Sequence, residues 1–303
     1  MAISLQFFPF VKKGVSMNLS CMEKSSGSNI KSILAGILSV FIWSVIPALV
    51  KVGSHSDTLT FFLVGRFVIA SILFLPFLKS ILLKGTQISL KNWILLTLIL
   101  AGNFYFQGQA METVPTSWYL VVFSLNPVLA LLFIGAKWSR NLVVGLSISI
   151  IGSLFFINSS DFKIANDWMA LMYMLLGMLT WVAYTFMIKR FQGIFTDSEA
   201  TGVTQFLALI GVSAIWLAKG MPAPILPPIE MISIGLLGVV TPLAYFLFSY
   251  SLRRTPRFGI VSQYLEPLFG AMVGVAFLNE SLTIASLLGA VAIIAGAVKV
   301  EQG

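Results

Sequence analysis

The chain has 303 residues, of which 58% are hydrophobic and only 10% are charged, and its formal net charge is +8. This composition excludes an ordinary soluble domain. Apolar runs of about 20 residues recur along the chain, and each is long enough to cross a hydrocarbon core of roughly 30 Å as a helix. The basic residues are spread singly over short loops, so we expect no nucleic-acid partner. The sequence therefore predicts an all-α integral membrane protein.

Sliding hydropathy predicts a cytoplasmic N-terminal tail, residues 1–31, followed by ten transmembrane helices. In chain order the predicted spans are 33–52, 58–78, 92–112, 116–135, 141–158, 167–188, 202–219, 231–252, 258–277 and 282–299. Several connections fit only a tight turn, so neighbouring helices are expected to run antiparallel. The true start of the chain stays open among Met1, Met17 and Met22.

The distribution of basic residues predicts the orientation in the membrane. Of the 19 Lys and Arg residues, 15 fall on the side of the N-terminus and 3 on the other side, while Arg66 lies within a span. Cytoplasmic loops carry the excess of Lys and Arg. Both termini are therefore expected in the cytoplasm, and we expect a multi-pass protein of a cell membrane, specifically a bacterial inner membrane. The one cysteine, Cys21, excludes an internal disulfide.

Matching residues recur in the same order in the first five and the last five predicted spans. The matched sets are Trp43 with Trp181, Lys51 with Lys189, Arg66 with Gln205, Asn126-Pro127 with Glu266-Pro267, and Gly145 and Gly152 with Gly289 and Gly296. This order predicts a duplicated unit, with one copy at 32–158 and the other at 165–299. Because five is odd, the second unit would enter the membrane from the opposite side, as in many secondary transporters with inverted repeats.

These residues resemble the drug/metabolite transporter superfamily, and within it the ten-helix transporters with two EamA-type repeats. The resemblance covers about residues 32 to 299 and is carried by Trp43, Arg66-Phe67, Asn126-Pro127, Trp181, Leu265-Glu266-Pro267 and Leu278-Asn-Glu-Ser-Leu-Thr283, followed by Gly289 and Gly296. It implies proton-linked or facilitative movement of small metabolites, often export. We expect no cofactor. With His55 as the only histidine, a histidine metal cluster is excluded by count.

Glu266 is the first candidate for a functional residue. A carboxylate at the centre of a bilayer costs about 2.5 to 3.5 kcal/mol on insertion scales, so it is expected beside a cavity or a partner. Pro267 has no N–H and is expected to leave the carbonyl of Gln263 without its helical hydrogen bond. Gln263 and Glu266 share one helix face, with Tyr264 nearby. They are predicted to bind substrate or to couple its transport, and a structural knot of hydrogen bonds is the alternative.

Other candidates are predicted to face this acid from neighbouring helices. Asn126, followed by Pro127, holds the equivalent place in the first half, which makes the site an acid on one side and an amide on the other. Arg66 and Glu266 each lie roughly 12 Å deep, counting 1.5 Å per residue, so they could form an ion pair. The alternative for Arg66 is a structural arginine bonded to loop carbonyls.

Further candidates are polar or aromatic residues at mid-span. The third helix has two polar faces, Asn103 with Gln107 and Tyr105 with Gln109, each pair at i and i+4, and Tyr105 and Gln109 are the candidates for the site. Trp43, Trp181 and Tyr184 fall mid-span, away from the interfacial belts in which aromatic residues concentrate. We predict that these residues wall a central cavity. Interhelical hydrogen bonding and ordinary core packing are the alternatives.

The predicted function is a secondary carrier that moves a small organic metabolite, such as an amino acid or a related compound, by alternating access and in the direction of efflux. Uptake or exchange, for example of a nucleoside-like or S-adenosyl metabolite, is one alternative, and a non-transporting sensor or scaffold is another. An enzyme is not expected, because neither HExxH nor GxSxG is present. The expected partners are the small-molecule substrate, protons and the lipid bilayer, and a homodimer stays open.

Overall fold

The computed structural model describes residues 30–54, 58–114, 119–120, 123, 125–133, 139–158, 168–221, 223–278 and 283–301. Several sequence predictions concern residues outside these ranges: the N-terminal tail up to residue 29 with its candidate start residues, Cys21, His55 and the turn at 279–282.

The described chain is helical, and it contains no strand in the ranges given above. The helices are α1 (Ile30–Gly53), α2 (Leu59–Leu73), α3 (Leu78–Gly85), α4 (Leu90–Thr113), α5 (Asn126–Phe133), α6 (Arg140–Asn158), α7 (Trp168–Phe191), α8 (Asp197–Ala218), α9 (Pro228–Arg254), α10 (Pro256–Val261), α11 (Glu266–Leu278) and α12 (Ile284–Glu301). Among the described helices, α1, α4, α7, α8 and α9 are long and apolar enough to cross a membrane, and α2 with α3 makes a sixth if the bent pair is one span. The prediction of an all-α, multi-pass membrane protein is confirmed.

The surface of the bundle is apolar and its interior is partly polar. Large apolar side chains such as Leu98, Phe155 and Val291 are more than half exposed, whereas Asn103 and Gln205 are fully buried. An exposed apolar surface of this kind would be costly in water, while lipid tails solvate it well. The polar groups must then find partners or a cavity inside the bundle.

Two predicted spans are interrupted at a proline. In the span predicted at 58–78, α2 ends at Leu73, and a 3-10 turn at Leu75–Phe77 that contains Pro76 follows. The chain continues as α3, and the parts before and after the break form an angle of 57°. The span predicted at 258–277 is divided into α10, a 3-10 turn at Ser262–Leu265 and α11. Proline interrupts a helix because it lacks an N–H and its ring clashes with the preceding turn.

The carbonyl of Gln263 lacks its α-helical hydrogen bond, as predicted, and it finds another partner within the turn. The N–H of Glu266 donates to this carbonyl and closes the 3-10 turn. A 3-10 bond joins residues three apart, whereas an α-helical bond would have required the missing N–H of Pro267. The shorter register therefore satisfies the carbonyl with the last amide before the proline.

Helix α8 begins five residues before the span predicted at 202–219, at Asp197. Its start is a capping box: the hydroxyl of Thr196 accepts the N–H of Glu199, and the Glu199 carboxylate accepts the N–H of Thr196. The two side chains satisfy amides that have no partner within the helix. Hydropathy missed this first turn because its residues are polar.

The packing of the helices repeats between the two halves of the chain. Helix α1 packs on α9 in the same way that α4 packs on α7, and α2 packs on α8 and α6 on α12. The counterparts in the two halves are α1 and α7, α2 and α8, α4 and α9, and α6 and α12. Replacing each helix by its counterpart turns the pair α1–α9 into the pair α7–α4. It leaves the pairs α2–α8 and α6–α12 unchanged. The matched tryptophans Trp43 and Trp181 also contact each other, with ring centroids 4.9 Å apart.

Counterpart helices that pack on each other run in opposite directions. Gly152 of α6 lies against Gly289 of α12, whereas Gly296, later in α12, lies against Gly145, earlier in α6. The corresponding contacts on α8 are Trp216 with Phe61 of α2, and Gly202 with Phe74, the residue that follows α2. Moving forward along one helix of either pair therefore means moving backward along the other.

Candidate functional site

The bundle has two faces, which are defined by the helix ends that meet there. At the first face α1 and α4 end, and Lys51 Nζ donates to the carbonyl of Val114 at 3.2 Å. At the second face α7 and α9 end, and Lys189 Nζ donates to the carbonyl of Leu252 at 2.9 Å. The two bonds occupy equivalent places in the two halves. Each lysine thus satisfies a carbonyl that lacks a partner at a helix end.

Ion pairs join three helices at the second face. The Asp197 carboxylate at the start of α8 accepts from Arg253 Nε at 2.7 Å and from an Arg254 guanidinium nitrogen at 2.8 Å, both at the end of α9. Lys84 Nζ at the end of α3 donates to Glu199 at 2.6 Å. We call these five residues the second-face ion cluster. It holds α3, α8 and α9 together at this end of the bundle.

A cavity lies between the middle of the bundle and the first face. Its lining residues are Trp43, Ile46, Val50, Leu63, Arg66, Phe104, Gln107, Gly108, Met111, Tyr119, Leu120, Phe123, Asn126, Trp181, Thr241, Tyr245 and Glu266. The contributions of α1, α2 and α4 come from the halves of these helices nearer the first face. The cavity therefore extends toward the first face, whereas the second face carries the ion cluster.

Five of the ten residues predicted for the site line this cavity together. They are Glu266, Asn126, Arg66, Trp43 and Trp181, and they come from five helices. Glu266 is only 6% exposed, so this acid faces the interior of the bundle and not the lipid. Asn126 and Glu266 are each the first residue of a helix whose second residue is proline. The break in each half thus carries its polar residue into the same cavity.

Arg66 and Glu266 share the cavity, but the predicted ion pair between them is absent from the described contacts. The guanidinium carbon of Arg66 instead lies 4.6 Å from the ring centroid of Phe67 and 5.2 Å from that of Phe104. Its Nε has no hydrogen-bond partner. Aromatic faces attract a guanidinium, so these two rings, and not the acid, are the described contacts of the Arg66 charge.

Three predicted residues are buried outside the lining of the cavity. Trp181 Nε1 donates to the side-chain carbonyl of Gln263 at 3.0 Å, so Gln263 orients a tryptophan of the cavity wall. The hydroxyls of Tyr184 and Thr204 are hydrogen-bonded at 3.0 Å, and the Tyr184 ring packs on Trp181. Tyr264 is fully buried. Gln263 and Tyr184 therefore support the wall through Trp181 and do not form it.

Tyr105 and Gln109 also lie outside the lining. The ammonium of Lys219 sits 4.9 Å from the centroid of the Tyr105 ring, and Gln109 Nε2 donates to Glu112 at 3.5 Å. Both contacts lie on the face of α4 that turns away from the cavity.

The opposite polar face of α4 supplies the cavity with Gln107. Its side-chain carbonyl accepts from Tyr119 Oη at 2.8 Å, and its amide nitrogen donates to Asn103. Tyr119, Thr241 and Tyr245 also line the cavity and were missed. A sequence signal existed for the last two, because they lie at i and i+4 beside Pro242 and so share one face of α9.

Comparison with known proteins gives a family and a fold. The model of the EamA-like transporter family matches the chain twice, over residues 30–158 and 168–300. Of the solved structures, 29 chains match, and one of them, a crystal structure of a protein, is 19% identical with a TM-score of 0.71. That match covers 90% of this chain and 96% of the other, and at this identity it shows the fold alone. No curated protein matches significantly.

Proposed function

Because this chain belongs to the EamA-like transporter family, we propose that it is a secondary carrier that moves a small organic metabolite across the membrane. The observation that carries this proposal is the interior cavity, where helices of both halves bring together a carboxylate, a guanidinium, an amide and aromatic walls. Such a site is able to bind an asymmetric organic molecule. A sensor or scaffold would have no need of polar groups buried around an interior cavity.

The proposed architecture is ten spans in two inverted units, near 32–158 and 165–299, with both termini in the cytoplasm. The antiparallel course of α6 against α12 and of α2 against α8 supports the inversion, because counterpart helices would run parallel if both units had the same orientation. The excess of basic residues then assigns the second face to the cytoplasm. We propose a bacterial inner membrane as the location.

The proposed mechanism is alternating access, in which the two units rock about the central cavity. The cavity approaches the first face while ion pairs join the second, which is the arrangement of a carrier that faces outward. In the opposite state the second-face ion cluster would separate and the first face would close. Glu266 would bind a cationic group of the substrate or a proton exchanged for it, and the net direction would be efflux.

Transport by the purified chain in proteoliposomes tests this function. The panel would contain amino acids, related metabolites, nucleosides and S-adenosyl compounds, each measured with and without a pH gradient. We expect saturable movement of at least one class, above that of protein-free liposomes and responsive to the gradient. If every compound moved only at the protein-free rate, the carrier function would be wrong and a sensor or scaffold would take its place.

Removing one charge from the second-face ion cluster should open that face more often. Glu199→Gln retains a residue that can complete the capping box but loses the ion pair with Lys84. Because the Lys84 side chain is 36% exposed, the pair contributes about 0.2–1 kcal/mol. Loss of this pair should therefore change the ratio of open to closed second face by up to roughly fivefold.

Maleimide labelling of a reporter cysteine measures this change. The reporter is Ser249→Cys, a buried position next to Asp197, in a Cys21→Ser background. We expect faster labelling in Glu199→Gln, and no change in the control Lys79→Gln, which removes a charge from an exposed position on the neighbouring α3. Equal labelling rates in the parent and Glu199→Gln would exclude this pair from the closure of the second face.

A further inference from the structure

Arg66 is a buried cation without an acid partner among the described residues. Its side chain lies in α2, is 4% exposed and lines the cavity, and its Nε has no hydrogen-bond partner. A guanidinium stays protonated in proteins. An intramembrane charge costs about 2.5 to 3.5 kcal/mol on insertion scales, so it is expected to have a function or a partner. Among the described residues, neither an ion pair with Glu266 nor a hydrogen bond to a loop carbonyl is found for Arg66.

The surroundings of Arg66 fix its position and leave hydrogen-bond donors available. The rings of Phe67 and Phe104 lie 4.6 and 5.2 Å from the guanidinium carbon and attract it through their faces. This contact leaves the N–H groups at the edge of the guanidinium plane without an anion. Thr241, which lines the same cavity, has a buried hydroxyl that also lacks a partner. The two side chains together offer donors and one positive charge to a ligand in the cavity.

We infer that the substrate carries a carboxylate, and that Arg66, held by Phe67 and Phe104, is its binding site, with Thr241 as a second donor. This inference rests on the carrier function proposed above. One guanidinium balances one negative charge, and its planar fork matches a carboxylate. A doubly charged phosphate fits less well, because Glu266 lines the same cavity and Arg66 is the one cation among the described lining residues. The aromatic walls predict that the remainder of the molecule is apolar or aromatic.

Matched pairs of small molecules test the carboxylate site directly. The probes are acetate, 4-methylpentanoate and 3-phenylpropanoate, each compared with its neutral carboxamide, and inorganic phosphate as the doubly charged anion. Binding is titrated in lipid nanodiscs through tryptophan emission, because Trp43 and Trp181 line the cavity. We expect at least one carboxylate to bind about tenfold more tightly than its amide, as for a hydrogen bond to a charged group. Phosphate should bind more weakly than this carboxylate.

Variants of Arg66 separate this role from a structural one. Arg66→Gln should bring the affinities for the carboxylate and its amide to the same value, whereas Arg66→Lys, which keeps the charge but loses the fork, should retain part of the difference. Lys79→Gln is the matched control, because it removes an exposed charge far from the cavity lining and should keep the full preference. The measurements on the parent require no variant to fold.

Each outcome decides between the two proposals. If no carboxylate binds more tightly than its amide, or if Arg66→Gln keeps the preference, the carboxylate site is wrong. Tighter binding of phosphate than of every carboxylate also overturns it. If proteoliposomes moved uncharged or cationic compounds and showed no preference for carboxylates, the carrier function would stand and only the carboxylate site would be wrong. If carboxylates bound selectively through Arg66 but no compound was transported, the carboxylate site would stand and the carrier function would be wrong.

Discussion

Glu266→Gln is expected to abolish the dependence of transport on the pH gradient and to weaken substrate binding. The carboxylate lines the cavity, is buried, and follows the helix break shared by both halves. Removing its charge would lose a charge-assisted hydrogen bond of about 1.5–3 kcal/mol. This corresponds to roughly 10- to 150-fold in affinity. The measurement is transport in proteoliposomes with and without the gradient, together with the substrate concentration that gives half the maximal rate.

The equivalent residue of the other half offers a matched second variant. Asn126 begins α5 as Glu266 begins α11, and both line the cavity. The double variant Glu266→Gln/Asn126→Asp moves the acid to the other half and should restore part of the response to the gradient if any acid in the cavity suffices. Parental transport and parental pH dependence in Glu266→Gln alone would show that this acid has no coupling role.

Gly296→Ala is expected to destabilise the protein by about 1–3 kcal/mol, the usual cost of overpacking. A methyl group on Gly296 would come within 2.5 Å of the backbone carbonyl of Gly145, and the same holds at 2.7 Å for Gly152 and the carbonyl of Gly289. Backbone atoms cannot move aside unless α6 and α12 separate. Small residues at helix contacts are the usual means of close approach between helices in lipid.

Gly235→Ala is the matched control, since Gly235 is also a helical glycine in a span but has no atom within 4 Å of an added methyl group. It should leave stability unchanged or raise it slightly, because alanine favours helix by about 1 kcal/mol over glycine. Thermal unfolding in detergent micelles measures both variants and the parent. If Gly296→Ala unfolded at the same temperature as Gly235→Ala, the close contact of α6 with α12 would be wrong.

Hydropathy and order of residues were enough to predict the class of the protein and the recurrence of its motifs. A membrane span depends on the summed polarity of about 20 neighbouring residues, and this sum needs no tertiary contact. The recurrence of tryptophan, Asn-Pro or Glu-Pro, and glycine in each half predicted which residues hold equivalent places. Trp43 and Trp181 are in contact, and Asn126 and Glu266 open into one cavity.

Local hydrogen bonding could not be predicted from the proline alone. The sequence indicates that Pro267 interrupts the helix, but whether the Gln263 carbonyl stays free depends on the turn that the chain adopts there. The 3-10 turn pairs it with the N–H of Glu266. The same limit applies to the bend after α2, because Pro76 marks the break while the angle of 57° depends on how α3 packs against α8.

The amino-acid sequence alone was enough to predict a helical membrane protein with two matched halves and an acid beside a helix break. Which polar groups meet depends on how the helices pack. Helix α4 has two polar faces of similar composition, and the packing of its neighbours turns Gln107 toward the cavity and Tyr105 and Gln109 away from it. Arg66 could reach an acid by depth, yet two aromatic rings hold it. The physical reason is that spacing along a helix defines faces, whereas the rotation of each helix and its side-chain rotamers depend on contacts between distant residues.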